Sequence, residues 1–239
     1  IYGANGYTGN LVAALAAQRG LEPVLAGRNS QAITTLAGRF GFEPRVFSLD
    51  DPDTIKRALD GIDAVAHVAG PFIHTSAPMV DACLETGTHY LDITGEFPVF
   101  EAIAARDQAA KQAGVSLIPG VGFDVVPTDC LAAYLAQHLP DAVELELAFS
   151  GTGSISRGTL KTMLENLGEG SAARIDGTLQ RVPFTWRTPV IPFPSGRRQT
   201  VTLPWGDVAT AYHSTGIPNI AVYFPAPVNA YRVVGALGP

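Results

Sequence analysis

The sequence predicts an α/β fold with a doubly wound parallel sheet, followed by an α+β domain with a mostly antiparallel sheet. Two observations predict the first part. A glycine-rich turn follows the apolar start of the chain, and short β-rich runs alternate with helical stretches up to about residue 118. A third observation predicts the second part, because beyond Pro119 the sequence becomes richer in proline and in strand-like alternation.

The first half divides into regular elements. Helices are predicted at residues 11–19, 30–40, 53–59, 76–86 and 99–113, and strands at residues 23–26, 45–48, 64–68, 90–93 and 115–118. Four glycines follow helices and can adopt the left-handed cap conformation, namely Gly20, Gly41, Gly87 and Gly114. This alternation is typical of βαβ units and a parallel sheet.

The second half begins after a Gly- and Pro-containing connector, so we expect a first domain at residues 1–122 and a second at residues 123–239. A helix is predicted at residues 128–138, with Pro127 near its start. Strands are predicted at residues 143–149, 199–203 and 220–224, and the proline-dense residues 183–194 are predicted to be a loop. The second domain is expected to bind substrate or to mediate dimerisation.

Composition limits the class of protein. The chain is 46% hydrophobic and 16% charged, as expected of a folded domain, and its net charge of −6 argues against binding nucleic acid or an anionic membrane. Cys83 and Cys130 lack the spacing of a metal site or a disulfide framework, which favours a reducing cytoplasm and no metal.

Few residues precede the first glycine, so we expect the chain to be a fragment, incomplete at the carboxyl end also.

The glycine turn is predicted to bind the phosphates of a dinucleotide. Gly3, Gly6 and Gly9 have GxxGxxG spacing at the head of a βαβ unit, so their backbone N–H groups can approach a pyrophosphate at a helix N-terminus. Between and beside them stand the further cofactor-binding candidates Asn5, Tyr7 and Thr8, of which the last two are expected to cap the helix or contact a phosphate. This is the Rossmann pattern, although an ordinary glycine-rich loop is the simpler alternative.

The residues after the second strand predict which cofactor binds. An acid there would hold the ribose 2′-hydroxyl of NAD, whereas Arg28 and Asn29 occupy the position here. A guanidinium suits a 2′-phosphate, so NADP(H) is the expected cofactor. The alternative is that Arg28 is a solvated surface residue and Asn29 merely caps the next helix.

The later strand ends supply the remaining site candidates. Ala69, Gly70 and Pro71 lack bulky side chains and are expected to flank the nicotinamide ribose, or to form a simple turn. Asp92 and Glu96 are the candidate catalytic acids, and each could instead be a cap or a loop hydrogen bond. Thr94, beside them, and Arg157, in the second half, are the candidate substrate ligands.

Five segments, taken in order, carry a family resemblance: residues 3–9, 26–28, 70–72, 90–96 and 122–129. They resemble the saccharopine dehydrogenase-like oxidoreductases, a group that includes the trans-acting enoyl reductases. The resemblance covers nearly the whole chain and implies NADPH-dependent hydride transfer to an imine or an activated alkene. The Gly-Leu-Pro-like substrate loop of saccharopine-forming enzymes is replaced here by residues 151–159, which argues against saccharopine itself.

Two other functions stay open. A non-catalytic NADP(H)-binding sensor would keep the same fold with idle acid and base groups. A semialdehyde or acyl-phosphate reductase would need a cysteine nucleophile, and Cys130 lacks the expected Asn-Pro-Gly-Cys-like setting. A small-molecule substrate is expected, and a homodimer is left open.

Overall fold

The computed structural model describes residues 1–151 and 170–228, and the chain divides into two compact units. The first unit comprises residues 1–94 and 101–122, and the second comprises residues 95–100 and 123–239. Residues 95–100 were expected in the first domain. They lie with the second unit because Phe97 and Phe100 pack in a cluster with Val125 and Ala209.

The first unit is built on parallel strands. These are β1 (Leu25–Gly27), β2 (Pro44–Val46), β3 (Ala64–His67), β4 (His89–Asp92) and β5 (Leu117–Ile118). β1 pairs with β2, and β3, β4 and β5 pair in that order. Tyr2 forms parallel bridges to both Ala26 and His67, so the amino-terminal segment joins the two groups of strands. Counting that segment as the first strand gives the order 3-2-1-4-5-6, which is the doubly wound Rossmann order.

Six helices alternate with these strands: α1 (Tyr7–Gln18), α2 (Ser30–Phe40), α3 (Pro52–Ala58), α4 (Phe72–Thr86), α5 (Phe97–Ala104) and α6 (Asp107–Ala113). α1 and α4 begin four residues earlier than predicted. The single helix expected at residues 99–113 is wrong, because the chain turns at residues 105 and 106 and forms α5 and α6.

Helix α2 shows why these residues fold as predicted. The Asn29 side chain accepts a hydrogen bond from the N–H of Ala32, which caps the helix start, and Gly41 ends it with a φ of 74°. Ile33, Leu36 and Ala37 lie on one face and are buried against Leu25 of β1. Three-to-four-residue spacing of apolar side chains therefore places α2 on the parallel sheet.

In its described residues, the second unit contains a mostly antiparallel sheet and two further helices. Its strands are β6 (Glu144–Ala148), β7 (Ser171–Ile175), β8 (Thr178–Val182), β9 (Val190–Phe193), β10 (Gly196–Thr202) and β11 (Asn219–Pro225). Its helices are α7 (Val126–His138) and the helix Asp207–Thr215, here called α8. The strand order is β8-β7-β11-β10-β9, and β6 pairs with β11 in parallel while the other pairs are antiparallel.

The core of this unit follows from the alternation in β6. Leu145 and Leu147 are buried while Glu144 and Glu146 face solvent, so one side of the strand packs against α7 and α8 residues such as Ala132 and Val208. The predicted loop at residues 183–194 is partly wrong. Val190–Phe193 forms β9, and its Pro192 is tolerated because β9 is an edge strand of the described sheet.

Candidate functional site

The glycine turn connects the amino-terminal strand segment to α1. Gly3 has a φ of 87°, in the left-handed region, and accepts a hydrogen bond from the N–H of Gly6 at 2.9 Å. Gly6 is the residue that precedes α1, and it has no side chain with which to cap the helix. Tyr7 and Thr8 lie in the first turn of α1, so their expected capping role is not observed. The first N–H groups of α1 therefore remain available to an anion.

Close packing explains why glycine stands at two of these positions. A Cβ atom on Gly3 would lie 2.8 Å from the Cβ of Ala69, and one on Gly9 would lie 2.4 Å from the carbonyl oxygen of Gly3. The turn is thus in contact with α1 on one side and with the end of the β3 segment on the other. Two predicted cofactor-binding positions, Gly3 and Ala69, are brought together by this contact.

Asn10 stabilises the turn and was not among the predicted residues. Its Nδ2 donates to the carbonyl oxygens of Gly6 at 2.9 Å and Ala4 at 3.2 Å. These two bonds restrain the backbone carbonyl groups of the turn. The signal in the sequence is a polar side chain directly after the third glycine, one helical turn beyond Gly6.

Arg28 and Asn29 follow β1, at the edge where the turn also lies. Asn5 lies near this strand end, because its Oδ1 is 3.2 Å from where a Cβ of Gly27 would stand. Arg28 is exposed, and it is close enough to Tyr2 to lower that hydroxyl's pKa, although burial raises the same pKa more strongly. Asn29 uses its side-chain oxygen as the α2 cap. A phosphate that reached this edge would meet an exposed guanidinium.

The segment Ala69-Gly70-Pro71 is held by residues of β3 and α4. The Gly70–Pro71 peptide bond is cis, and the Thr75 hydroxyl lies 2.8 Å from the Ala69 oxygen and 3.1 Å from the Pro71 oxygen. His67 Nε2 lies 3.1 Å from the same hydroxyl. Burial lowers the pKa of His67 to about 3, so the ring is neutral. Since the hydroxyl donates to a carbonyl, the proton of His67 is assigned to Nε2.

Asp92 is buried at the end of β4, and hydrogen-bond donors surround its carboxylate. The N–H groups of Thr94 and Gly120 donate to Oδ1 at 2.9 and 2.8 Å, and the Tyr90 hydroxyl donates to Oδ2 at 2.7 Å. Burial raises the pKa of Asp92 while these three bonds lower it, and the net shift is upward. The N–H of Val121 also donates to the Asp92 carbonyl. Asp92 therefore joins the end of β4 to the loop after β5.

The other predicted residues are distributed between the two units. Thr94 is buried in the first unit, whereas Glu96 is buried in the second, where it precedes α5 and its carbonyl accepts from the N–H of Val99. Arg157 lies outside the described residues.

Two histidines were predicted to be packing residues. His67 is buried as expected, whereas the prediction for His138 is wrong, because its side chain is exposed beside Tyr134.

The second unit holds two acids, Asp124 and Asp207, that were not among the predicted site residues. Asp124 is half-buried, and burial raises its pKa to about 6. The indole N–H of Trp205 donates to the carbonyl oxygen of Asp124, and Asp207 follows two residues later. A Cβ on Gly95 would lie 2.7 Å from Asp124 Oδ2, so Gly95 packs closely against this side chain. Three segments that are distant in the sequence thus meet at Asp124.

Other kinds of site find little support in the described residues. No group of three or more His, Cys, Asp or Glu residues that could hold a metal is found among them. Cys83 and Cys130 are both free, and Cys130 is exposed on α7. No helix in the described part of the chain has the length and apolar character needed to cross a membrane.

The strand order, the glycine turn and the helix that follows it define the first unit as a Rossmann-type dinucleotide-binding unit. Residues 1–118 match the model of the saccharopine dehydrogenase NADP binding domain. The chain belongs to this saccharopine dehydrogenase-like family, and NADP is the cofactor of its matched domain.

Two relatives named as trans-acting enoyl reductases agree with this assignment. A protein of Mycobacterium tuberculosis (strain ATCC 25618 / H37Rv), grouped by name with the trans-acting enoyl reductases, is 31% identical over 72% of this chain and 44% of its own length. The trans-acting enoyl reductase of Mycobacterium leprae is 31% identical over 54% of this chain and 33% of its own length. The chain thus spans less than half the length of these relatives.

The fold is similar to that of apo saccharopine dehydrogenase (L-Glu forming) from Saccharomyces cerevisiae. The TM-score is 0.70 with 15% sequence identity, and the match covers 99% of this chain and 56% of the yeast enzyme. At this identity the likeness concerns the fold alone. It confirms the predicted combination of a Rossmann-like parallel sheet with a mostly antiparallel sheet.

Proposed function

We propose that this chain is the cofactor-binding part of an NADPH-dependent oxidoreductase that transfers hydride to a carbon–carbon or carbon–nitrogen double bond. The observation that carries the proposal is the glycine turn. Gly3 and Gly9 are positions where a Cβ would collide with backbone or with Ala69, and the free amino-terminal N–H groups of α1 follow directly. Such a cradle fits a pyrophosphate that approaches the backbone closely.

The choice of NADPH over NADH rests on Arg28. No carboxylate occupies the end of β1, so the group that holds a free ribose 2′-hydroxyl in NAD-binding proteins is absent from this position. Arg28 is exposed directly after the strand, and a guanidinium can bind a phosphate through two parallel hydrogen bonds. We propose that Arg28 contacts the 2′-phosphate, with Gly3, Asn5, Gly6 and Gly9 around the pyrophosphate.

The reaction class is proposed from the family and its relatives. NADPH supplies hydride when it is bound, and enoyl reductases and saccharopine dehydrogenases reduce, respectively, a C=C and a C=N bond. Ala69 and Gly70 leave the edge of the sheet without bulky side chains, and Thr75 holds the carbonyls on either side of Gly70. We propose that this segment flanks the nicotinamide ribose.

The test is a fluorescence titration of the protein with NADPH and with NADH. We expect Arg28→Glu to weaken NADPH binding by on the order of 10²-fold while NADH binding changes little, because one charge-assisted contact is replaced by a repulsion. Arg39→Glu is the matched control, since Arg39 is an exposed arginine in the last turn of α2. Equal losses for both cofactors would show that Arg28 does not recognise the 2′-phosphate.

Turnover is measured in a second step, as oxidation of NADPH in the presence of a crotonyl thioester or the cyclic imine 1-pyrroline. Oxidation that depends on either compound supports the reductase. Tight NADPH binding without oxidation by any compound of these classes would instead favour a non-catalytic sensor.

A further inference from the structure

A threonine of α4 holds the segment that follows β3. Thr75 lies in the first turn of α4, and its hydroxyl lies 2.8 Å from the carbonyl oxygen of Ala69 and 3.1 Å from that of Pro71. The contact with Pro71 reaches back four residues, as threonine hydroxyls in helices often do. The contact with Ala69 is shorter and reaches beyond the helix. Thr75 therefore joins the start of α4 to the residues that leave the sheet.

Strand pairing reaches the residues just before this segment. The N–H of Val68 donates to the Tyr2 carbonyl at 2.9 Å, and β3 pairs with β4 as far as His67. The Ala69 carbonyl comes next and accepts from a side chain, that of Thr75. Gly70 is exposed between the two carbonyls that Thr75 contacts. The hydroxyl of Thr75 thus restrains the backbone beyond the end of the strand.

His67 fixes the direction in which the Thr75 hydroxyl donates. The Nε2 atom of His67 lies 3.1 Å from the hydroxyl oxygen. A hydroxyl has one proton, and here the carbonyls accept it, so the oxygen accepts the Nε2–H in return. Burial lowers the pKa of His67 to about 3, so the neutral ring carries one proton. Nδ1 is then an unprotonated acceptor, and it has no hydrogen-bond partner within the described ranges of the chain.

Three aromatic rings hold the imidazole of His67 in place. Its centroid lies 5.4 Å from the ring of Tyr2, 5.4 Å from that of Phe72 and 6.0 Å from that of Tyr90. The Phe72 contact is edge-to-face, at 85°, which is a favourable arrangement for two rings. His67 is 0% exposed. Its Nε2–H is therefore kept directed at Thr75.

The segment that Thr75 holds also packs against the glycine turn. A Cβ on Gly3 would lie 2.8 Å from the Cβ of Ala69 and 3.0 Å from its backbone nitrogen. All of these residues belong to the first unit. The turn is the proposed site of the pyrophosphate, and the nicotinamide ribose is the group that follows the pyrophosphate in the cofactor. Residues 69–71 are thus restrained on one side by the turn and on the other by Thr75.

We propose that Thr75, oriented by His67, is a positioning residue that holds residues 69–71 in the conformation that receives the nicotinamide ribose of NADPH. This role rests on the proposed function and requires no contact between Thr75 and the cofactor. A segment that is already held in its binding conformation loses less conformational freedom when the ligand binds, so the affinity is higher. The 2′-phosphate end of the cofactor, proposed to bind Arg28, should not depend on Thr75.

The test compares two ligands of the full chain by isothermal titration calorimetry. One is NADPH, and the other is 2′,5′-ADP, which has the adenosine 2′-phosphate but no nicotinamide ribose. We expect Thr75→Val, which keeps the shape and removes the hydroxyl, to raise the Kd of NADPH by about 10-fold and to leave that of 2′,5′-ADP unchanged. Thr75→Ser keeps the hydroxyl and should retain both wild-type values.

Thr86→Val is the matched control. The Thr86 hydroxyl donates to the Ala82 carbonyl, four residues back, at the opposite end of α4 from Thr75. This change should alter neither Kd. His67→Phe keeps an aromatic ring at the buried position and removes the Nε2–H, so it should raise the Kd of NADPH by a smaller factor, about 3-fold.

A measurement on the wild-type chain, labelled with nitrogen-15 at histidine, needs no variant. NADPH should shift the Nε2 resonance of His67, and 2′,5′-ADP should not. The His67 resonances are recognised because they do not titrate between about pH 5 and about pH 8, well above the pKa of about 3.

Three results would overturn the positioning role. Thr75→Val could change the two Kd values equally, as a purely structural role predicts, or change neither. Thr75→Ser could lose NADPH affinity as Thr75→Val does. The Nε2 resonance of His67 could stay unchanged on addition of NADPH, and this result decides even where Thr75→Val does not fold. A wild-type chain that binds neither NADPH nor 2′,5′-ADP would instead refute the proposed function.

Discussion

Asp92 in the first unit and Asp207 in the second are both almost fully buried, at 1% and 0% exposure, but their surroundings differ. Asp92 accepts three hydrogen bonds, two from backbone N–H groups and one from Tyr90. Asp207 accepts none from the described residues. Burial raises the pKa of both acids, and the bonds to Asp92 act against this.

The difference separates two uses of a buried acid. A carboxylate with three donors fixes the backbone around it, and at Asp92 it joins the end of β4 to the loop after β5. A carboxyl group without donors does not organise its surroundings, but it can take up and release a proton near neutral pH. The prediction of Asp92 as a catalytic acid stays untested, and its donors favour a structural role.

The largest effect is expected at Asp207, in the dependence of stability on pH. Its folded pKa of about 7 lies above the ordinary value of 3.8, so the unfolded chain releases the proton first. The contribution of Asp207 to the free energy of unfolding is therefore fully present below about pH 4. It is lost as pH rises to about 7, and the loss is on the order of 4 kcal/mol. Asp207→Asn should abolish this fall and make the protein more stable than wild type at about pH 8.

Thermal unfolding followed by tryptophan fluorescence measures this effect, because Trp186 and Trp205 both lie in the second unit. Asp141→Asn serves as the control and should keep the wild-type dependence on pH. If wild type and Asp207→Asn show the same change in Tm between about pH 5 and about pH 8, the raised pKa of Asp207 is contradicted.

A smaller effect is expected from Asp92→Ala. The change leaves two backbone N–H groups and the Tyr90 hydroxyl without their acceptor in a buried site, which should lower the free energy of unfolding by about 3 kcal/mol. Urea unfolding followed by circular dichroism is the measurement. Asp81→Ala removes an exposed acid that pairs with Arg106, and it should cost less than about 1 kcal/mol. Equal losses in the two variants would contradict the structural role of Asp92.

The smallest effect is expected from Cys130→Ala. The thiol is exposed on α7, one residue after Asp129, and the change should alter stability by less than about 0.5 kcal/mol. Any reductase activity should persist, since Cys130 lacks the Asn-Pro-Gly-Cys-like setting expected of a cysteine nucleophile. Complete loss of activity with a normal circular dichroism spectrum would instead favour a semialdehyde or acyl-phosphate reductase with Cys130 as its nucleophile.

Sequence patterns were sufficient for much of the first unit. The GxxGxxG spacing predicted the turn, and α2 begins and ends at the predicted residues, because its cap residues and apolar spacing are local signals. The division of residues 99–113 into α5 and α6, and the strand at Val190–Phe193, were not predicted. The start of α5 packs with Val125 and Ala209, which are distant in the sequence. Val190–Phe193 pairs with the neighbouring β10, and its proline content concealed this strand because proline disfavours a strand interior.

The two aspartates show which features of the protein follow from local sequence and which depend on the tertiary structure. From the amino-acid sequence alone, the doubly wound parallel sheet, the NADP cofactor and the family could be predicted, because they depend on glycines, strand ends and spacing within short segments. The sequence pointed to Asp92 and not to Asp207 as a candidate catalytic acid, although each of them follows an aromatic residue by two positions. Only the tertiary structure brings Gly120 to Asp92 and places Asp207 where none of the described residues donates to it, because these surroundings depend on residues far apart in the chain.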